Sequence, residues 1–126
     1  MAVPTVLIVE DSALNRKLVE TVLKPYGYHI LVAEDGQTGV EIALRERPNL
    51  ILMDVMMPVM NGYDATRRIK DHCDTADIPV VALTASAMPH ERVQALAAGC
   101  DGYITKPIDT RTFPNQIRQF LSRTDE

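Results

Sequence analysis

Short apolar runs recur along the chain, separated by longer segments of mixed polarity. The strongly apolar runs are residues 6–9, 50–53, 80–83 and 103–104, and a weaker one covers residues 29–33. Runs of this length without polar alternation are typical of parallel strands that helices cover on both faces. The pattern therefore predicts five strands in a largely buried sheet.

The segments between these runs carry apolar residues at helical spacing and predict five helices. Pro89 is expected near the first position of the fourth helix, which should end at Gly99. Pro114 removes a backbone donor from the opening turns of the last helix, so we expect an irregular or late start there. The apolar stripes are Leu14, Leu18, Val19, Val22 and Leu23; Val40, Ala43 and Leu44; Tyr63, Thr66 and Ile69; Val93, Leu96 and Ala97, which should face inward; and Phe113, Ile117, Phe120 and Leu121.

Five repeats of strand and helix predict an α/β domain with a parallel sheet and right-handed crossovers. The chain has 126 residues and is 46% hydrophobic, which is enough for one continuous core. Pro4 precedes the first predicted strand, and only residues 124–126 follow the last helix. We therefore expect residues 1–126 to form a single domain without a separate output module.

Charge and composition narrow the classes of function. The chain has 13 Lys and Arg against 17 Asp and Glu, which argues against direct nucleic-acid binding and against a polybasic membrane surface. No apolar run approaches the roughly 20 residues that cross a bilayer, and the N-terminus lacks a signal-peptide pattern, so we expect a cytoplasmic protein. Cys73 and Cys100 are expected to be reduced thiols, and His29, His72 and His90 show no metal-binding spacing.

Reactive polar residues stand where the predicted strands end. The first strand is followed by Glu10 and Asp11, the third by Asp54, the fourth by Thr84 and the fifth by Lys106. Ligands of open parallel α/β sheets bind beyond the carboxyl ends of the strands, so these side chains should converge at one edge. Each alone is typical of a turn, a cap or a solvated position, but turns have no reason to repeat this chemistry at four strand ends.

Glu34 and Asp35 follow the second strand and resemble the acids of the other strand ends. If that strand lies at the edge of the sheet, both residues fall outside the crevice. Asp35-Gly36 then fits a turn that starts the second helix.

Three carboxylates at one edge would repel each other unless a cation lies between them. An all-oxygen site with open positions suits Mg²⁺, with Mn²⁺ as an alternative ion. The expected ligands are Glu10, Asp11, Asp54 and the backbone carbonyl of Met56. Because a carboxylate beside Mg²⁺ can attack phosphorus and form an acyl phosphate, Asp54 is the best candidate for a phosphoacceptor.

Lys106 and Thr84 complete the expected phosphate site. Lys106 would contact phosphoryl oxygens opposite the metal. Thr84 would donate its hydroxyl to another phosphoryl oxygen in the phosphorylated state alone, as a switch requires. The residues therefore predict a domain that stores a phosphoryl group on Asp54.

Four segments resemble the receiver domains of two-component response regulators, most closely the stand-alone CheY-like and DivK-like ones. They are VLIVEDSALNRKLV, LILMDVMMPVMNGYD, IPVVALTASAM and GCDGYITKPI. The resemblance implies a doubly wound, flavodoxin-like sheet of five parallel strands in the order 2-1-3-4-5. It also implies a signalling switch that catalyses only its own phosphorylation and slow dephosphorylation, not an enzyme for other substrates.

The resemblance implies the same roles as the residues do. Glu10 and Asp11 are the acidic metal pair, Asp54 is the phosphoacceptor, Thr84 is the switch hydroxyl and Lys106 is the phosphate-contacting lysine.

Further features follow from the resemblance alone. It implies a cis peptide at Lys106–Pro107 and a Tyr103 ring that turns inward when Thr84 moves, although a half-buried strand tyrosine is an equal alternative for Tyr103. Met56 and Ser86 match two positions that tune the lifetime of the phosphoryl group. A bulky Met56 would hinder the attacking water, which predicts a moderately long lifetime.

The implied partners are a sensor histidine kinase or a histidine phosphotransfer protein as phosphoryl donor, and a downstream protein target. We expect the donor to dock on the first helix around Leu14, Asn15 and Leu18, together with Pro107 and Ile108.

Two other classes of function fit the sequence less well. An aspartate-nucleophile phosphatase would need a second acid at position 56, where this chain has Met56. A nucleotide- or flavin-binding module would need a glycine-rich or hydroxyl-rich phosphate loop after the first strand, where this chain has Glu10 and Asp11.

Overall fold

The fold comes from a computed structural model that describes residues 3–57, 60–85 and 88–123. Over these residues the strands are β1 (Thr5–Val9), β2 (His29–Ala33), β3 (Leu50–Asp54), β4 (Val80–Thr84) and β5 (Gly102–Thr105). The α-helices are α1 (Ala13–Leu23), α2 (Gly36–Glu46), α3 (Gly62–Asp71), α4 (Pro89–Ala98) and α5 (Phe113–Arg123), and a short 3-10 helix, Lys24–Tyr26, follows α1. The alternation of strand and helix predicted from the sequence is confirmed.

The strands form one parallel sheet in the order β2-β1-β3-β4-β5, which confirms the implied topology. β1 lies between β2 and β3, so Val9 pairs with Ala33 on one side and with Met53 on the other. The direction of strand progression reverses at β1. The crevice that forms at such a reversal lies beyond the carboxyl ends of β1 and β3, where the acids are placed.

Helices cover both faces of the sheet and bury two apolar layers. The layer under α1 and α5 is closed by Val19 and Leu23 from α1 and by Phe113 and Ile117 from α5. The opposite layer lies under α2, α3 and α4 and includes Val40, Ala43, Ala65, Ile69, Ala95 and Ala98. The inner strands β1, β3 and β4 are therefore covered on both faces, which explains why they have apolar runs without alternation.

In the described part of the chain, α1, α2 and α3 each begin with a side-chain cap. Ser12 accepts the backbone N–H of Asn15, Asp35 accepts that of Thr38, and Asn61 accepts that of Asp64. Each cap satisfies a donor that has no partner within the helix. The expected role of Asp35 at the start of α2 is confirmed.

The expectation that Val93, Leu96 and Ala97 face inward is wrong. Val93 is 64% and Leu96 63% exposed, and Ala97 is also exposed, whereas Ala95 and Ala98 are buried. Two faces of α4 carry apolar residues at helical spacing, so the pattern cannot choose between them. The structure packs the face with the smaller side chains, which lets the helix approach its neighbours closely.

The apolar stripe of α1 is also only partly buried. Val19 and Leu23 are covered, but Leu14 is 80% and Leu18 42% exposed. These two leucines lie toward the start of α1, which is the end of the helix nearest the acids. They are therefore available as surface and do not belong to the core.

Pro114 occupies the second position of α5, where a backbone N–H would have no helical acceptor. The irregular geometry expected there lies before the helix, in a turn whose Thr112 and Phe113 N–H groups both donate to Asp109 O.

Candidate functional site

Three carboxylates meet at the carboxyl edge of the sheet. Glu10 and Asp11 follow β1, Asp54 ends the neighbouring β3, and one oxygen of each lies within 4.8 Å of the others. Glu10 is 1% and Asp54 3% exposed, whereas Asp11 is exposed. The fold thus gathers acids that come from two separate strand ends, with one side of the group open to solvent.

Lys106 reaches this pocket from the end of β5. Its Nζ donates to Glu10 Oε1 at 2.8 Å and to Asp54 Oδ1 at 2.8 Å, so one ammonium joins both buried carboxylates. Burial alone would lower the pKa of Lys106, but the hydrogen bonds and charges of Asp54 and Glu10 raise it overall. The side chain is therefore a permanent cation at neutral pH.

The buried carboxylate of Glu10 is only partly compensated by Lys106. The pKa of Glu10 is raised by burial and by the adjacent carboxyl group of Asp54, against the opposing effect of Lys106. Its other oxygen, Oε2, is buried and has no hydrogen-bond partner within the described residues. Burying a carboxylate oxygen without a partner costs free energy. The available ligand atoms of the three acids are all oxygens, so these residues fit a hard divalent ion such as Mg²⁺.

The backbone of Asp54 is held by Gly62 at the start of α3. The Gly62 N–H donates to Val55 O at 3.0 Å, and a Cβ built on Gly62 would lie 2.2 Å from Asp54 O. The loop after β3 can therefore close on the strand end only because residue 62 has no side chain. This contact links the position of Asp54 to the start of α3.

Thr84 and Tyr103 lie on the two strands beyond β3. Thr84 is buried at the end of β4, between the strands that carry Asp54 and Lys106, and its carbonyl accepts the Lys106 N–H at 2.6 Å. Tyr103 is half-buried on β5, and its hydroxyl accepts a hydrogen bond from Arg92 of α4. The Arg92 guanidinium also lies over the Tyr103 ring, 5.1 Å from its centre.

The family resemblance also implied a cis peptide before Pro107 and roles for Met56 and Ser86. The Lys106–Pro107 peptide is cis. Met56 lies in the loop after β3 with its side chain 76% exposed. Ser86 lies outside the described residues.

Arg16 is a site residue that the sequence analysis missed. Its Nη1 donates to Glu10 O at 2.8 Å and to Asp11 O at 3.2 Å, and its Nη2 lies 3.6 Å from Glu34 Oε1. A signal was present in the sequence, because a cation in the first turn of a helix opposes the helix dipole and needs a tertiary explanation. Glu34 follows the edge strand β2, and its contact with Arg16 places it beside the acidic pocket.

A second group of donors lies on the exposed turn after α3. Ligand atoms of His72, Cys73 and Asp74 lie within 4.8 Å of one another, although the sequence showed no metal-binding spacing. Asp74 is engaged by Arg47 at 3.3 Å. Cys100, in contrast, is buried, and burial raises the pKa of its thiol.

The sheet order and the lysine-bridged acidic pocket together define an α/β domain of the receiver type. The chain belongs to the response regulator receiver domain family, whose model matches residues 6–118. It is thus the receiver domain of a two-component response regulator, a class of signalling switches. None of the helices in the described part of the chain has the length and hydrophobicity needed to span a bilayer.

Relatives and solved structures agree with this assignment. The polar-differentiation response regulator DivK of Brucella anthropi is 37% identical over 117 residues, which cover 93% of this chain and 95% of DivK. The chemotaxis protein CheY4 of Vibrio cholerae has a TM-score of 0.90 at 28% identity, covering 94% of this chain and 99% of CheY4. The receiver domain of sensor histidine kinase PA1611 from Pseudomonas aeruginosa PAO1 has a TM-score of 0.88 at 34% identity, covering 96% and 99%, and holds a magnesium ion in its active site cleft.

Proposed function

We propose that this chain is a cytoplasmic switch, working as one domain over residues 1–126, that accepts a phosphoryl group on Asp54 from a sensor histidine kinase or a histidine phosphotransfer protein. The phosphorylated form then binds a downstream protein target with altered affinity. The observation that carries the proposal is the Asp54 carboxylate, buried at the sheet edge with Lys106 Nζ at 2.8 Å and two further acids within 4.8 Å.

Magnesium is the proposed cofactor, with Mn²⁺ as an alternative. Glu10, Asp11, Asp54 and the backbone carbonyl of Met56 would hold it, and the unpartnered Glu10 Oε2 supports this assignment. When bound, the ion would neutralise charge on the phosphoryl oxygens and on the acids. The magnesium ion in the PA1611 receiver domain is consistent with such a site.

The proposed reaction is a direct transfer to Asp54. A carboxylate oxygen of Asp54 attacks phosphorus of the partner's phosphohistidine, an O–P bond forms, and the N–P bond breaks with its electron pair left on the imidazole, which takes a proton from water. Lys106 Nζ has three N–H donors and gives two of them to the carboxylates, so the third can contact a phosphoryl oxygen. Water later attacks phosphorus of the acyl phosphate, the P–O bond to Asp54 breaks, and inorganic phosphate leaves as the carboxylate is regenerated.

Thr84 and Tyr103 are the proposed switch residues. Thr84 ends β4, which lies between the strands of Asp54 and Lys106, and we propose that its hydroxyl moves to contact a new phosphoryl group. Movement of Thr84 would open space for the Tyr103 ring to turn inward, at the expense of its contacts with Arg92. Signalling would then change the surface of α4 and β5.

Met56 and Ser86 are proposed to set the lifetime of the phosphoryl group. Met56 follows the phosphoacceptor closely and has a long, exposed side chain that can obstruct water. We therefore propose a moderately long lifetime.

The donor is proposed to dock beside the pocket, on α1 and the start of the β5–α5 connection. A cavity of about 290 Å³ is lined there by Asn15, Leu18, Pro107 and Ile108, and also by Glu10 and Lys106. Leu14 is 80% exposed on the same helix. An apolar surface that continues into the acidic pocket suits a helix that presents a phosphohistidine.

Phosphorylation from a small donor tests the central proposal without the cognate kinase. Wild type, Asp54→Asn and the surface control Asp64→Asn are incubated with acetyl phosphate and Mg²⁺, then measured by intact mass spectrometry. Wild type and Asp64→Asn should gain one phosphoryl adduct, and Asp54→Asn or addition of EDTA should prevent it. An adduct of equal yield on Asp54→Asn would overturn the assignment.

A further inference from the structure

Arg16 is placed where local helix preferences do not favour it. It stands in the first turn of α1, yet its side chain is only 16% exposed and turns back toward β1. There its Nη1 donates to the carbonyls of Glu10 and Asp11. A cation at this end of a helix opposes the dipole, so these two contacts are what holds the side chain in place.

The two carbonyls belong to the residues that carry the acid pair. The Glu10 N–H makes the last bond of this strand to the sheet, to Ala33 O at 3.0 Å, and the chain then leaves β1. From that point the guanidinium holds the two peptide units that follow. Because peptide orientation sets the direction of each Cα–Cβ bond, these bonds also aim the carboxylates of Glu10 and Asp11.

We propose that Arg16 is a positioning residue for the magnesium site, which fixes Glu10 and Asp11 in their binding orientation before the ion arrives. A loop that must be ordered on binding lowers the affinity, and a loop that is already ordered does not. This inference rests on the proposed function, since it assumes that Mg²⁺ binds this pocket.

Arg16 differs from Lys106 in the atoms that it occupies. Lys106 contacts carboxylate oxygens and must give way to other ligands, whereas Arg16 contacts backbone oxygens and leaves the carboxylates free. Repulsion between the guanidinium and a bound ion acts in the opposite direction, and salt screens it little because the Arg16 side chain is only 16% exposed. The measured change in Mg²⁺ affinity is the net of both effects, and the proposal requires the geometric effect to be the larger.

Glu34 contributes little to this arrangement. Its oxygen lies 3.6 Å from Arg16 Nη2, and its side chain is 78% exposed. Exposed ion pairs of this kind have small effects. The role of Arg16 therefore depends on the carbonyls, and Glu34 offers a control that removes only the ion pair.

The test is the Mg²⁺ dissociation constant, measured by isothermal titration calorimetry, beside the unfolding free energy of each variant without Mg²⁺. Arg16→Met should raise the dissociation constant about tenfold, which corresponds to about 1.4 kcal/mol. Arg16→Lys keeps the charge but loses the planar array of N–H donors, and it should raise the dissociation constant about threefold. Glu34→Gln should stay within twofold of wild type, as should Arg45→Gln, which makes the same charge change as Arg16→Met on an exposed residue in the last turn of α2.

The outcomes separate the two proposals. Wild type that binds Mg²⁺ together with Arg16→Met that binds equally well or more tightly overturns the role of Arg16 and leaves the proposed function standing. A lower unfolding free energy with an unchanged dissociation constant also overturns it, because that is the result of a purely structural role. If Arg16→Met does not fold, an unchanged constant for Arg16→Lys decides against the proposal, and wild type that binds no Mg²⁺ ends both proposals.

Discussion

Glu10 shows how strongly this site depends on single atoms. One oxygen contacts Lys106, and the other is buried without a hydrogen-bond partner among the described residues. Since the fold raises the pKa of Glu10, it favours the protonated form. The stabilisation from this residue is therefore present below its unfolded pKa and is lost as the pH rises through the raised value.

Gly62 provides a test at the scale of one atom. The added Cβ of Gly62→Ala would lie 2.2 Å from Asp54 O, so the β3–α3 loop must move. We expect a loss of about 1–3 kcal/mol in unfolding free energy by urea denaturation, the usual range for overpacking, together with weaker Mg²⁺ binding because Asp54 shifts.

Gly27→Ala is the matched control for this substitution. Gly27 has φ +78° and nothing within 4 Å of an added Cβ, so the substitution strains the backbone by about 1–2 kcal/mol without touching the site. Unchanged Mg²⁺ binding in Gly62→Ala, as in Gly27→Ala, would contradict the link between Gly62 and Asp54.

At the scale of elements, sequence reasoning succeeded for the position of each helix and failed for the face of one. α4 begins at Pro89 and its C-terminal cap is Gly99, as expected, and Gly99 has φ 101°. The prediction of which face of α4 is buried was wrong, because Leu96 and Ala95 belong to two alternative apolar stripes of the helix. Periodicity shows that a helix has an apolar face, but only its packing partners decide which of two such faces is covered.

Two leucine-to-alanine substitutions test whether Leu96 of α4 is exposed. Leu96→Ala removes a side chain that is 63% exposed and should change the unfolding free energy by less than about 0.5 kcal/mol. Leu23→Ala removes a side chain that is 0% exposed and should cost about 2–5 kcal/mol. Urea denaturation gives the unfolding free energy of both variants. A loss of several kcal/mol in Leu96→Ala, as large as that in Leu23→Ala, would show that Leu96 faces inward after all.

Tyr63 connects α3 to α4 and gives a pH prediction. Its hydroxyl donates to Glu91 Oε2 at 2.9 Å, and burial followed by this hydrogen bond raises its pKa from 10.0 to about 12. Because the neutral phenol is favoured by the fold, its stabilisation is complete below pH 10 and is lost as the pH rises from 10 through about 12.

Spectrophotometric titration of tyrosinate absorbance measures this directly. The curves of wild type and Tyr63→Phe, scaled per molecule, should coincide up to about pH 10 and separate with a midpoint near pH 12. A separation that is already complete near pH 10 would show that Tyr63 is not held by Glu91.

At the scale of the whole molecule, the site is a product of topology. β1 and β3 are neighbours although α1, β2 and α2 lie between them in the chain, and this brings Glu10 and Asp11 beside Asp54. β5 lies two strands from β3, yet the long side chain of Lys106 spans the gap. Metal binding should therefore stabilise the entire fold, because the acids that it joins come from distant parts of the chain.

The thermal unfolding midpoint in the presence of Mg²⁺ tests this coupling. A ligand at 100 times its dissociation constant adds about 2.7 kcal/mol of stability. For a domain of this size the midpoint should rise on the order of 10 °C. The double variant Glu10→Gln, Asp11→Asn should lose this response, and an equal rise in the variant would place the effect of Mg²⁺ elsewhere on the protein.

The sequence by itself determined the order of strands and helices, the class of the fold and the residues at each strand end. These properties follow from local patterns: apolar runs, helical spacing, and residues such as Pro89 at a helix start and Gly99 at a helix end. The resemblance to receiver domains added the strand order, which local patterns do not contain.

The tertiary structure alone decided which apolar face of α4 is buried, that Lys106 joins Glu10 to Asp54, and that Arg16 holds the acid loop. These features depend on contacts between residues far apart in the chain or on the choice between two equivalent local patterns. A single sequence carries no distance between such residues, and only the packed sheet and helices supply it.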